Sequence, residues 1–518
     1  MVHWHSCVQA VVVGNAEIVE HRCQLVFFIF ITLIIFLCVS CVDTYAFRGW
    51  SVLVLTPLAA LIVAITSGEP MLAHWTQTFM GAAGGFVAQF FPLFLIGAVF
   101  GKLMDDSGSV TEITRFMTEK LGIQRAILAV VLAGALVTYG GVSLFVAFFV
   151  IVPMAQGLFR AANIPYRLMP AAIGLGTFTF TMSAMPGTPA VQNAIPMPFF
   201  GTTPFAAPGL GIIASIVMFS FGMWWLLRAA AAARRAGEGY GREDQIEQVN
   251  TAVAELADNA LTRERASTSD SFDPHEIHTG CHSTQAPSTF MAVLPLLVVI
   301  AVNFIMSMVI LPRVDTSFLA NAQWGGISLS SVSGVWSVIV ALLSAITVLI
   351  IGNRKRLLNL RETVAAGANA SSLPILSVAS LVGFGAVVAA MPVFSLVTEW
   401  VLSIQGGPLV SLAVSTNILA ALTGSASGGM TIALDALGAS YLQLATEISM
   451  DPALLHRVAV IGAGTLDSLP HNGAVVTLLT LCGSTHSESY LDIVMSCIIG
   501  AVIALVVVIV LGTMFGSF

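Results

Sequence analysis

Two matching helix-breaking segments lie inside long apolar stretches, one in each half of this 518-residue chain. Residues 173–191 read IGLGTFTFTMSAMPGTPAV and residues 461–475 read IGAGTLDSLPHNGAV. Ile173, Gly174, Gly176 and Thr177 match Ile461, Gly462, Gly464 and Thr465 at a spacing of 288. After a four-residue length difference, Pro186, Ala190 and Val191 match Pro470, Ala474 and Val475 at 284. The 284 spacing also relates Gly140 and Ser143 in YGGVS to Gly424 and Ser427 in TGSAS. Hydrocarbon offers no water to a freed N–H or C=O, so broken helices survive there only against protein or a wet cavity. Paired breaks in two internal copies are the mark of a secondary transporter, and they point to the substrate position.

The bilayer itself is implied by composition. Hydrophobic residues make up 57% of the chain and charged residues only 9%, against about a quarter charged in soluble domains. The formal charge of −7 says little about partners, because ten of the 27 acids fall in one polar segment, 228–287. Seven cysteines, at 7, 23, 38, 41, 281, 482 and 497, show no extracellular disulfide framework. Cys38 and Cys41 form a CxxC inside an apolar run, which reads as lipid-embedded helix rather than a redox pair. No phosphate-binding Gly-rich loop appears, which gives ATP-driven transport no support, and nothing resembles a nucleic-acid surface.

The chain divides into a polar N-terminal extension (1–22), a first transmembrane half (23–227), a polar linker (228–287) and a second transmembrane half (288–518). Residues 24–42 are long enough for a first span and lack the basic flank and cleavage site of a signal peptide. The count of membrane segments comes to 11–14, with 187–200 and 471–484 too brief to cross and read as re-entrant. Arg228, Arg234 and Arg235 on one side of two spans, and Arg354, Lys355, Arg356 and Arg361 on the other, put the linker in the cytoplasm. The linker has no apolar periodicity and too little apolar surface to fold alone. Its His275, His278, Cys281 and His282 have zinc-like spacing, but in a polar loop the cluster reads as incidental, and no metal or cofactor is expected.

Four breaks carry the chemistry: YGGVS, SAMPGTP, TGSASGG and DSLPHNG. Small residues alone would also serve close helix packing. Their occurrence in repeat-related pairs rich in hydroxyls favours a binding site. Between Arg167 and Arg228, and again between Arg361 and Arg457, there is no Lys or Arg. An anion would therefore be held by N–H groups at half-helix N-termini and by neutral side chains. The expected substrate contacts are Gly140, Gly141, Ser143, Ser183, Gly187, Thr188, Asn193, Thr423, Gly424, Ser425, Ser427, His471 and Asn472. A neutral polyol or a cation could use the same hydroxyls. Asp467 and His471, four apart around Pro470, are the candidate proton-coupling pair. Capping of a half-helix by Asp467 is the structural alternative, and Asp435 is a further intramembrane acid.

From about Arg48 onward the chain resembles the gluconate:proton symporter (gluconate permease) family, within a larger superfamily of organic-anion carriers. The similarity rests on RGWSVLVLTPLAAL (48–61), FFPLFLIGAVFGKLMDDSGS (90–109), MPGTPAVQNAIPMPFFGTTPFAAPGLG (185–211) and GTLDSLPHNGAVVTLL (464–479). It implies an all-α polytopic protein of two inverted repeats, each with a re-entrant hairpin and a broken helix, working as a homodimer in the bacterial inner membrane. It implies proton-coupled uptake of a small organic acid, either gluconate or a short hydroxy acid such as 3-hydroxybutyrate. Two further readings stay open from the residues: a sodium-coupled di- or tricarboxylate carrier, and a membrane-embedded hydrolase built on Ser, His and Asp. The symmetric placement of the hydroxyls weighs against the hydrolase.

Overall fold

The computed structural model describes residues 51–241, 263, 267, 269–283, 285–392 and 394–518. The expected extension and first span, and the CxxC at 38–41, lie outside the described residues. Among the described residues all regular structure is helical, as the apolar runs demand, since a helix satisfies its backbone internally.

Seven helices among the described residues are long and apolar enough to cross a membrane: Met71–Asp106, Leu144–Ala161, Pro208–Arg235, Thr289–Arg313, Leu329–Gly352, Leu360–Ala389 and His486–Phe515. In chain order the elements are α1 (Val52–Thr66), α2 (Met71–Asp106), α3 (Ser109–Leu121), α4 (Ala126–Tyr139), α5 (Leu144–Ala161), α6 (Met169–Thr177) and α7 (Pro208–Arg235). The second half adds α8 (Thr289–Arg313), α9 (Leu329–Gly352), α10 (Leu360–Ala389), α11 (Phe394–Leu402), α12 (Pro408–Thr423), α13 (Ala426–Glu447), α14 (Pro452–Thr465), α15 (Gly473–Leu481) and α16 (His486–Phe515). The chain turns by 103° between Ser109–Leu121 and Ile123–Tyr139, so α3 and α4 do not continue one another.

The order of elements repeats. A helix (α4 or α12) ends at a glycine break, a serine-capped helix follows (α5 or α13), then a helix ending at a second break (α6 or α14). Short segments come next: Val191–Ala194 and Pro196–Phe200 in the first half, α15 in the second. At nine residues α15 is about 13 Å long, far short of a ~30 Å hydrocarbon core. The short segments interlock the halves. Those of the first pack on α13 and α14, and α15 packs on α5 and α6.

The repeated glycines of IGLGT and IGAGT explain how these helices approach. A Cβ on Gly176 would lie 2.4 Å from the Val131 carbonyl oxygen of α4, and one on Gly462 would lie 2.5 Å from Thr416 Oγ1 of α12. Small-residue packing therefore operates beside the breaks as well. Around this core α2 and α10 form a long antiparallel pair, with Gly367 against Val99 and Gly383 against Phe79. At the Asp106 end of that pair, residues 269–283 of the polar linker dock onto the helices. Phe272 is fully buried, Ile277 nearly so, and the Asp273 N–H donates to the Ala370 carbonyl at 2.7 Å.

Candidate substrate site at the paired breaks

In the first copy, α4 stops at Gly140 and the chain reverses through Gly141, whose φ of +95° favours glycine. A Cβ there would also strike Pro189 at 2.7 Å, and one on Gly140 would strike Leu296 of α8 at 2.3 Å. Ser143 then caps α5, its Oγ accepting from the Phe145 N–H at 3.2 Å. The α5 N-terminus does not face empty space. The carboxylate of Asp270, from the docked linker, accepts a short hydrogen bond from Ser143 Oγ and a second from the Leu144 N–H at 3.1 Å. A cavity of about 30 Å³ lies beside it, lined by Thr138, Gly141, Ser143, Pro189, Gln192 and Asp270 among others.

The second copy repeats this geometry with its own acid. Gly424, at φ +60°, ends α12, and Ser425 caps α13 by accepting from the Gly428 N–H. Asp467 Oδ1 accepts from the Ala426 N–H at 2.8 Å and from Asn472 Nδ2 at 2.9 Å. Asn472 also donates to the Gly424 carbonyl, and its Oδ1 caps α15 by accepting from Ala474 and Val475. His471 Nε2 reaches the Ala421 carbonyl at 2.9 Å. Each copy thus presents the first N–H of a half-helix to a carboxylate.

Several expected contacts have other duties. Asn193 spends Nδ2 on the Thr188 and Pro204 carbonyls, so its Oδ1 accepts from His456 Nε2 at 3.2 Å. In the neutral His456 ring that leaves Nδ1 to accept from the Thr202 hydroxyl at 2.6 Å. Ser183 donates to the Thr179 carbonyl and packs on Gly464 of the other copy. Thr423 donates into its own helix, Thr188 accepts from the Ala190 N–H, and Gly187 bonds to Pro204 and Asn303. Ser427 is buried in α13, where its carbonyl accepts from the Thr431 hydroxyl at 2.8 Å.

The burial of Arg457 and the cavity beside Asp435 were not legible in the pattern of residues. Arg457, taken as a flank of the cation-free core, is fully buried within it. Its guanidinium donates to the carbonyls of Ala206 (2.6 and 3.1 Å) and Ala184 (3.1 Å). Those bonds satisfy a charge that would otherwise be costly in hydrocarbon. Asp435 lines a separate cavity of about 650 Å³, with Gln89, Thr431, Phe86, Phe90 and Phe199. That cavity lies toward the Ala389 end of α10, opposite the docked linker.

Of the linker's cluster, His282 joins Asp105 and Asp106, the ligand atoms of the three lying within 4.8 Å of one another. His282 Nε2 sits 3.0 Å from Asp105 and 3.5 Å from Asp106, but Lys102 Nζ already lies 2.9 Å from Asp106 and donates to the Ile277 carbonyl at 2.6 Å. The ammonium supplies the positive charge that an ion would bring. Cys281 faces Glu362 instead. The hydrogen bond to Asp105 holds the His282 pKa above its ordinary value, against partial burial.

The sequence pattern of GntP family permeases matches residues 25–226. An uncharacterized transporter of Bacillus subtilis, YxjC, is 38% identical over 469 residues, spanning 89% of this chain and 94% of the relative. A high-affinity gluconate transporter of Escherichia coli is 28% identical over 141 residues, 26% of this chain and 31% of its own length. An uncharacterized transporter of Haemophilus influenzae is 30% identical over 128 residues, 24% of this chain and 30% of the relative.

Proposed function

Because this chain belongs to the GntP permease family, and is therefore a multi-pass membrane transporter rather than a hydrolase, we propose that it imports a small hydroxy-carboxylate with protons. The observation that carries this reading is the pair of half-helix N-termini, at Ser143–Leu144 and at Ser425–Ala426, each donating to a carboxylate oxygen. Such termini bind anions without a cationic side chain. Gluconate is the substrate named for the Escherichia coli relative, and a short hydroxy acid such as 3-hydroxybutyrate fits the same donors.

Coupling follows from Asp467. Ionised, it occupies the Ala426 N–H and repels an arriving anion. A proton on Asp467 removes that charge and weakens its hold on Ala426 and Asn472, freeing a donor for the substrate. Proton and anion then bind together with no net charge added to the core. In this reading Gly140, Gly141 and Ser143 of the first copy and Ser427, His471 and Asn472 of the second also contact the substrate. An inverted relation of the halves, a homodimer and the bacterial inner membrane belong to the same reading. So does a cytoplasmic linker, on the basic residues that flank it.

Counterflow in proteoliposomes with labelled gluconate, 3-hydroxybutyrate, lactate and citrate tests the carrier and names the acid. Exchange of a hydroxy-monocarboxylate, with accumulation driven by an inward proton gradient, is expected. Accumulation that follows a sodium gradient and ignores pH would overturn proton coupling, and absence of counterflow would overturn the carrier.

A further inference from the structure

We infer that residues 270–283 form a built-in pseudosubstrate, whose Asp270 carboxylate occupies the substrate carboxylate subsite on Ser143 and Leu144. The inference rests on the reading of the paired breaks as a carboxylate site, and it identifies both a subsite and its regulator.

The two copies supply the first argument. In the second, the acid at the half-helix N-terminus comes from the neighbouring break, as Asp467. The positions of the first copy that match Asp467, at spacings of 288 and 284, are Thr179 and Ser183. Neither can supply a carboxylate. The first copy therefore has an anion-binding terminus with no resident anion, and the structure fills it with an aspartate 127 residues away in sequence. A carboxylate on the N-cap hydroxyl and the first helical N–H makes the contacts that a substrate carboxylate would make.

The second argument is that the segment is latched. Arg263 pairs with Asp273 at 2.6 Å, and the Asp273 N–H holds the Ala370 carbonyl. Lys102 holds the Ile277 carbonyl, His282 meets Asp105, and Phe272 and Ile277 are buried among the helices. Gly280 crosses Asp106 at φ +109°, where a Cβ would lie 2.6 Å from Oδ2. These contacts run from the Asp106 end of α2 inward to Ser143, while the large cavity at Asp435 opens at the other end of the α2–α10 pair. The segment covers the α5 N-terminus from the Asp106 end of α2. A docked internal carboxylate competes with substrate, so apparent affinity falls by the fraction of molecules left undocked.

The test compares the full-length protein with Asp270→Ala and Asp270→Asn, using gluconate and 3-hydroxybutyrate as probes. Uptake kinetics should show a lower apparent KM in both variants, by about tenfold if the docked form holds about nine-tenths of the molecules, without loss of maximal rate. Amide exchange across 270–283 should speed up in both variants, and in the wild type when either acid is added at saturation. Slower uptake at unchanged KM would make Asp270 part of the transport machinery and overturn the inference. Unchanged exchange in the variants, or exchange in the wild type that the acid leaves unaltered, would overturn it as well. If no acid is transported by any form, the proposed function fails. Exchange in Asp270→Asn still decides whether the carboxylate anchors the segment.

Discussion

The side-chain amide of Asn472 donates to Asp467 Oδ1 at 2.9 Å, while its own carbonyl oxygen caps α15 through Ala474 and Val475. One residue thus ties the candidate proton acceptor to the start of a half-helix. A change of charge on Asp467 reaches backbone geometry through a single side chain.

That link separates two substitutions at position 472. Asn472→Ala removes the cap, at a cost of about 0.5–2 kcal/mol, and should lower both melting temperature and uptake. Asn472→Asp keeps a capping oxygen but sets a second carboxylate beside Asp467. It should melt close to wild type yet transport poorly at neutral pH, with recovery as the medium is acidified. Thermal unfolding in detergent and uptake at pH 5.5 and 7.5 are the measurements; equal loss in both variants at both pH values would reduce Asn472 to a cap.

Asp467→Asn retains the shape of the acceptor and removes its charge. Accumulation driven by a pH gradient should disappear while counterflow of pre-loaded substrate persists. Preserved accumulation would move the proton to another group.

Helix contact at the repeated glycines predicts an asymmetry between two alanine substitutions. In Gly176→Ala the new methyl meets the Val131 carbonyl oxygen at 2.4 Å, and α4 and α6 must part at a cost of about 1–3 kcal/mol. At Gly157, in the middle of α5, a Cβ meets nothing within 4 Å, so alanine should be neutral or stabilise by about 0.5–1 kcal/mol. Melting of the two variants in detergent checks both directions.

The docked linker carries a pH dependence of its own. His282 faces Asp105, Asp106 and Lys102, and its pKa is raised by the bond to Asp105. A raised histidine pKa contributes stability in full below the unfolded value of about 6.5 and loses it as pH rises through the folded value. Segment 277–283 should therefore hold more weakly above neutrality. Amide exchange in this segment should be faster in His282→Gln than in wild type at pH 6, and the difference should vanish at pH 9. A difference that persists at pH 9 would remove the charge from the explanation.

The four breaks were visible in the sequence because Gly, Pro and hydroxyl residues stand out against an apolar background with no other reason to hold them. The repeat order of helices, the short segments at 191–200 and 473–481, and the capping serines follow from the same local chemistry. Asp270 and Arg457 were not visible in this way. Each is buried by partners more than a hundred residues away, and a charged residue in a polar linker or at a span's edge looks solvated until those partners are known. The linker read as polar and incapable of folding alone; its last part finds its apolar partner in the membrane helices through Phe272 and Ile277.

Arg457 belongs to α14 in the second half, yet its donors hold the Ala184 and Ala206 carbonyls of the first. The halves are therefore riveted at the breaks, whatever their ancestry as separate copies. A conformational cycle that pulled one half away from the other would strip the guanidinium's bonds to Ala184 and Ala206 in a medium with nothing to replace them. Arg457 is thus a crossbar between the copies, and parting them at the sequence midpoint is the costly direction.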